Sequence, residues 1–97
     1  MRLEEVLAIL RPAMPSLQAR YGVTGLSLFG SVARNEASSG SDVDVLVEFA
    51  GPTTFLGFMG VKETLEDLLG SPVDLVTLAS LKPRLRAAIQ GELLRVA

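Results

Sequence analysis

A chain of 97 residues, 48% of them hydrophobic, has the size of one domain spanning 1–97, with a thin core, since a domain this small buries only about two-thirds of its unfolded surface. With no Cys and no His, thiol chemistry, disulfides, zinc sites and histidine acid–base catalysis are excluded, so any chemistry rests on Asp, Glu, Ser, Lys, Arg or Tyr. A net charge of −2, one Tyr, four Phe and no Trp argue against steering toward nucleic acid and against a base-stacking platform, so direct nucleic-acid binding is not expected.

The first twenty residues have helical periodicity. Leu3, Leu7, Leu10, Met14, Leu17 and Tyr21 recur at spacings of four and three on one face. Pro12 and Pro15 interrupt the pattern, and each removes a helix donor, which predicts a kink or a split near Arg11. Gly22 suits a helix stop. Leu26–Phe29 read as a short strand ending at Gly30, Ser31 to Glu36 as a short helix, and Ser38–Ser41 as loop chemistry. Val43, Val45, Val47 and Phe49 then alternate with Asp42, Asp44, Leu46 and Glu48, the period of a strand. Gly51-Pro52 ends it. Thr53 or Thr54 caps a predicted helix running to about Leu69, with Phe55, Met59, Leu65, Leu68 and Leu69 among its apolar positions. Gly70-Ser71-Pro72 breaks that helix, and Val73 to Leu78 form a third strand containing Asp74. Pro83 opens a last helix over Lys82–Gln90. Beyond Gly91 helix and strand are not separable. No apolar run reaches the ~18 residues of a membrane span, and Met1-Arg2-Leu3-Glu4-Glu5 turns acidic at once and does not read as a signal peptide. A cytoplasmic protein is expected.

Asp42 and Asp44 lie two apart on a predicted strand, so their side chains share a face while Val43 points the other way, into the core. Two carboxylates side by side repel each other and one pKa rises unless a cation intervenes. A hard divalent ion such as Mg²⁺ resolves the conflict, because it prefers carboxylate oxygens. Asp74 sits early on another apolar strand. If the two strands are neighbours, three carboxylates meet on one surface, enough for two metal ions about 4 Å apart, the spacing used for in-line phosphoryl displacement. Gly30-Ser31 falls where a strand gives way to a short helix. The free N–H groups there favour an anion, glycine lets a phosphate approach the backbone, and Ser31 adds a hydroxyl. No Lys follows the glycine, so this is not a Walker-type loop. Arg34 can reach a triphosphate oxygen or simply stand on the helix surface. Lys82, Arg84 and Arg86 read first as a solvated helix face.

Gly30-Ser31, ten residues, then Asp42-Val43-Asp44 resembles the signature of the DNA polymerase β-like nucleotidyltransferases, and Val73-Asp74-Leu75-Val76 resembles the strand carrying their third carboxylate. Phe29–Arg34 together with Ser41–Val47, and the Lys82–Arg86 segment, resemble the minimal nucleotidyltransferases of prokaryotes most closely. The resemblance covers nearly the whole chain. It implies an α+β fold with a small mixed β-sheet flanked by helices. It implies transfer of a nucleoside monophosphate from a triphosphate, with Asp42 and Asp44 on both Mg²⁺ ions and the triphosphate, Asp74 completing the metal site on the acceptor side, and Gly30, Ser31 and Arg34 on the nucleotide. It further implies a helical HEPN-type partner in a toxin–antitoxin pair, a hetero-oligomer in which AMP from ATP is placed on a tyrosine of the partner. One departure is Asn35, where relatives often carry Gly after the Arg. It bears on the turn of the short helix and not on the chemistry.

Two other functions compete. One is a non-catalytic antitoxin that acts by complex formation alone, which gives no reason to keep three mutually repelling acids. The other is a transferase for small molecules such as aminoglycosides, whose members usually carry an additional acceptor-holding domain that is not found in this sequence.

Overall fold

Two prolines decide how the chain begins. The computed structural model describes residues 1–37 and 42–97, so the predicted Ser38–Ser41 loop lies outside the described residues. Helix α1 (Leu3–Leu10) meets a 3₁₀ turn at Arg11–Ala13, and α2 (Met14–Tyr21) follows, with Pro12 and Pro15 each in a first turn where a missing N–H costs nothing. Gly22 stops α2 with φ of 73°, a left-handed conformation that glycine adopts freely. The buried positions are Val6, Leu10 and Leu17, while Leu3, Leu7, Met14 and Tyr21 of the predicted stripe are only half-buried. Val6 lies outside that stripe, because the core-facing side of α1 centres on Val6 and Leu10, one turn apart, and Leu3 and Leu7 fall to its flank.

Among the described residues four strands, β1 (Val23–Phe29), β2 (Val43–Phe49), β3 (Val73–Val76) and β4 (Leu94–Arg95), form one mixed sheet in the order β3-β2-β1-β4. Strand β1 (Val23–Phe29) is longer than the predicted Leu26–Phe29, and it pairs antiparallel with β2 (Val43–Phe49), with an irregularity between Val23 and Gly25. Helix α4 (Phe55–Leu69) returns the chain to β3 (Val73–Val76), which lies parallel to β2. Thr54, the second of the two candidate caps, accepts the Gly57 N–H at 3.0 Å, and Gly70 ends α4 with φ of 66°. Leu26, Leu28, Val43, Val45, Val47, Val73 and Leu75 form the sheet's share of the core, packed against Val6, Leu10, Leu17, Val61, Leu65 and Leu69 of the helices.

Three expectations change. Strand β3 stops at Val76 instead of Leu78, because Thr77 and Ser80 exchange side-chain and backbone hydrogen bonds around a 3₁₀ turn at Leu78–Ser80. In α4 the buried positions are Val61, Leu65 and Leu69; Phe55 and Leu68 are exposed, at 76% and 42%. The last helix, α5 (Pro83–Gln90), starts at Pro83 with Lys82 as its cap, and the segment beyond Gly91 becomes a two-residue strand, β4 (Leu94–Arg95), antiparallel to β1. Among the described residues no helix is long and apolar enough to cross a membrane.

The core is thin enough for one cavity to matter. Leu65 is fully buried, and Leu65→Ala is expected to cost about 2–5 kcal/mol, a large share of the roughly 5–15 kcal/mol that holds a domain folded. Leu85→Ala, at a half-exposed position of α5, should stay within about 0.5 kcal/mol. Urea midpoints of the two variants against the parent chain measure both.

Candidate active site

The site grows from the register of β2 against its neighbours. In the parallel β2–β3 ladder Val43 stands opposite Val73, Asp44 opposite Asp74 and Val45 opposite Leu75. Since side chains alternate across a strand, the valines and Leu75 enter the core while Asp44 and Asp74 share the other face. Asp74 stands beside Asp44 in that register, so the two carboxyl groups lie close together. The Asp44 carboxyl is pushed above the usual carboxylate range, first by burial, then by the charges of Asp74 and Asp42 and by the Asp74 hydrogen bond, with Arg34 opposing. Asp42, exposed just before β2, lies close enough for its charge to act on Asp44. Among the described residues no three acids form a closed metal cage. Asp44 and Asp74 are the close pair, and Asp42 acts on Asp44 through its charge.

What holds Asp74 in place is not itself acidic chemistry. Lys62 binds Glu66 at 3.0 Å one turn along α4, and the same Glu66 oxygen accepts the Val73 N–H at 2.9 Å. That backbone hydrogen bond, followed by Lys62, lowers the Glu66 pKa. The Val43 N–H donates to the Pro72 carbonyl at 3.0 Å, so the first residue of β3 is tied from the helix side and the strand side together. Lys62 carries no signal of this contact in the sequence; its role becomes visible once α4 lies beside β3.

Gly30 opens α3 (Gly30–Ala33) with φ of 71°. A Cβ there would collide with Asp44 Oδ2 and come within 3.1 Å of its Cγ. Glycine is therefore required twice, by the backbone conformation and by the acid that sits against it. Ser31, the second residue of the helix, is half-buried. The predicted helix to Glu36 is cut short at Ala33 by a turn in which Asn35 takes φ of 57°. Asn is among the few residues that enter this region readily, and its Oδ1 also accepts the Leu3 N–H at 3.2 Å. The departure from Gly at this position thus keeps the turn and adds a tie to the start of α1. Arg34 pairs with Glu36 at 3.1 Å and with Glu92 at 3.2 Å, and Glu92 also accepts the Gly30 N–H at 3.1 Å. Glu92 had no signal in the sequence, being 62 residues from Gly30 on a segment without periodicity. Lys82 and Arg84 are exposed on or beside α5, and Arg86 is half-buried with its Nε unpartnered.

The donor set is all oxygen, two carboxyls facing each other across the strand pair with a third close in charge. This fits a hard divalent ion completed by phosphate oxygens and water, as Mg²⁺ usually is, with Asp42, Asp44 and Asp74 as the residues that would hold it.

Two outcomes follow from this geometry. Gly30→Ala should destabilise the fold by about 1–2 kcal/mol from the left-handed backbone alone, and more from the Asp44 collision, which chemical denaturation measures. Asp44→Asn should raise the melting temperature near neutral pH. A carboxyl whose folded pKa is raised supports folding only while protonated, and that support is lost as pH rises through the folded pKa. The advantage of Asn should therefore shrink as pH falls toward the ordinary Asp range. A melting series that shows Asn destabilising at neutral pH would contradict the raised pKa.

Residues 10–96 match the nucleotidyltransferase domain family. The protein adenylyltransferase MntA of Thermococcus cleftensis is 42% identical over 94 residues, 97% of this chain and 95% of that protein. A solved structure assigned as a minimal nucleotidyltransferase superposes with a TM-score of 0.82 at 45% identity, covering 97% of this chain and 95% of the other. A chain in the structure of a tri-AMPylated HEPN toxin in complex with MNT antitoxin, from Shewanella oneidensis, shares the fold at a TM-score of 0.66 and 20% identity, over 94% of this chain and 71% of that one. The match from residue 10 to residue 96 takes in both the glycine turn and the two acid-bearing strands, and this chain belongs to the nucleotidyltransferase domain family, among its minimal members.

Proposed function

We propose that the chain is a Mg²⁺-dependent adenylyltransferase that moves AMP from ATP to a hydroxyl, in particular a tyrosine of a HEPN-type partner, and so acts as the antitoxin of a cytoplasmic toxin–antitoxin pair. The observation that carries the reading is the Asp44–Asp74 register beside Gly30, which puts paired carboxyls against a backbone turn able to receive phosphate. Similarity to MntA supports adenylyl transfer to protein, and the fold shared with the Shewanella complex suits a HEPN-type partner. The net charge of −2 disfavours a nucleic-acid acceptor.

In this reading Gly30 and Ser31 receive the phosphates through backbone N–H and hydroxyl, and Arg34 adds a charged donor. Asp42 and Asp44 would hold two Mg²⁺ ions with the triphosphate, and Asp74 would complete the acceptor side. When bound, the ions neutralise phosphate charge and lower the pKa of the attacking hydroxyl. The hydroxyl oxygen forms a bond to the α-phosphorus, the bond from that phosphorus to the bridging oxygen breaks, and pyrophosphate leaves. Asp74, on the exposed edge strand, accepts the hydroxyl proton. A tyrosine phenol, with a pKa near 10, is a suitable acceptor. Holding the two reactants in line supplies much of the rate, and a chain of 97 residues that commits its sheet edge to the nucleotide gains the acceptor half from a docked partner.

Incubation with ATP, Mg²⁺ and a HEPN-type protein as partner, followed by intact-mass analysis, should show one or more added AMP units on the partner. Asp44→Asn should lower the rate by on the order of 10²–10³-fold or more, as loss of transition-state charge stabilisation does. Asp74→Asn should spare ATP binding more than turnover. Tight association without added mass would favour neutralisation by binding alone, and an unchanged single-turnover rate in Asp74→Asn would remove the third acid from the mechanism.

A further inference from the structure

Strand β4 brings a fourth acid to this corner. The β1–β4 ladder pairs Ser27 with Arg95 and Leu28 with Leu94, and the same antiparallel register, carried two residues further, sets Gly30 beside Glu92. Glu92 Oε1 accepts the Gly30 N–H at 3.1 Å and Oε2 binds Arg34 Nη1 at 3.2 Å. Gly30 and Arg34 stand one helical turn apart, with the Arg34 N–H on the Gly30 carbonyl. One carboxylate thus spans a backbone donor and a guanidinium at the start of a short helix, the pair of donors expected to receive phosphate oxygens.

From this we infer that Glu92 is an affinity-determining residue of the nucleotide site, a resident anion that holds the phosphate position and must be displaced by the incoming triphosphate. The inference rests on the proposed nucleotide-binding role of Gly30 and Arg34. Carboxylate and phosphate oxygens use the same N–H and guanidinium donors. Gly30 has a single N–H, so a phosphate oxygen that takes it must displace the Glu92 carboxylate. Glu92 also adds negative charge to a corner that already holds Asp42, Asp44 and Asp74, against which Arg34 is the nearby cation and is shared with Glu36. The Glu92 side chain is about one-third exposed, which leaves it room to swing outward while β4 stays paired. Its contacts keep the glycine turn and Arg34 ordered before nucleotide arrives, at the expense of affinity when it does.

Calorimetric titration of the full chain with Mg²⁺–ATP and with Mg²⁺–tripolyphosphate tests this. Glu92→Gln keeps the shape and an acceptor oxygen but removes the charge; Glu92→Ala removes the contact. Both should bind ATP about two- to fivefold more tightly than the parent chain, the range set by one partly exposed ion pair. The same factor should appear with tripolyphosphate, because the competition lies at the phosphates and not at the base or sugar. Far-UV circular dichroism checks folding, and Glu92→Gln carries the test if Glu92→Ala unfolds. Unchanged or weaker binding in Glu92→Gln, with the parent chain binding ATP normally, overturns the displaced-anion role and leaves the proposed function standing. No ATP binding by the parent chain or by either variant overturns both.

Discussion

Two carboxyl groups on adjacent strands, facing the same way, are the constraint around which this molecule is arranged. Asp44 and Asp74 come together because the parallel β2–β3 ladder pairs them, and that ladder exists because Val43, Val45, Val73 and Leu75 bury the opposite face. Apolar burial on one side of the sheet therefore sustains electrostatic repulsion on the other. A slip of one residue in the pairing would turn the valines to solvent and the acids to the core, so the register that keeps the core also keeps the site. Burial and the repulsion that remains push the Asp44 carboxyl above the usual carboxylate range.

The supports of this pair come from both sides. On one side Glu66 and the α4 crossover fix the first residue of β3. On the other, Gly30 lies so close to Asp44 that no side chain fits between them. The same glycine exposes backbone N–H groups at the start of α3, which leaves cation-seeking acids and an anion-seeking turn in direct contact. In the proposed function a metal–nucleotide pair would satisfy both at once, with its cation toward the carboxylates and its phosphates toward the N–H groups. Asn35 ties this arrangement back to α1, so the N-terminal helices brace the turn as well as cover the sheet.

Arg34 illustrates how the site distributes its charges. Its guanidinium sits between Glu36 and Glu92, and its nearby charge opposes the rise of the Asp44 pKa. An exposed ion pair is worth little on its own, so these contacts order the corner without locking it. Helix α5 buries none of its residues, and Phe55 and Leu56 at the start of α4 are also exposed, so the protein's surface retains apolar groups.

Much of this was legible from the residues alone. Alternation of Val with Asp or Glu defined β2 and put Asp42 and Asp44 on one face, because a strand's period of two is a local property. The prolines at 12 and 15 and the glycines at 22 and 70 marked helix breaks, because they act through their own backbone restrictions. Gly30-Ser31 at a strand end pointed to phosphate through the same local reasoning. Tertiary structure decided the rest. That Asp74 faces Asp44 depends on which strands pair and in what register, and no sequence interval encodes that directly. The exposure of Phe55 and Leu68 depended on which side of α4 meets the sheet, a choice that Val61, Leu65 and Leu69 won. Strand β4 is two residues long, too short to carry a period, and exists only because the edge of β1 offers unpaired backbone groups to it. Glu92 reaches Gly30 through that pairing, so its place at the site was fixed by a contact across 62 residues and by nothing in its own neighbourhood.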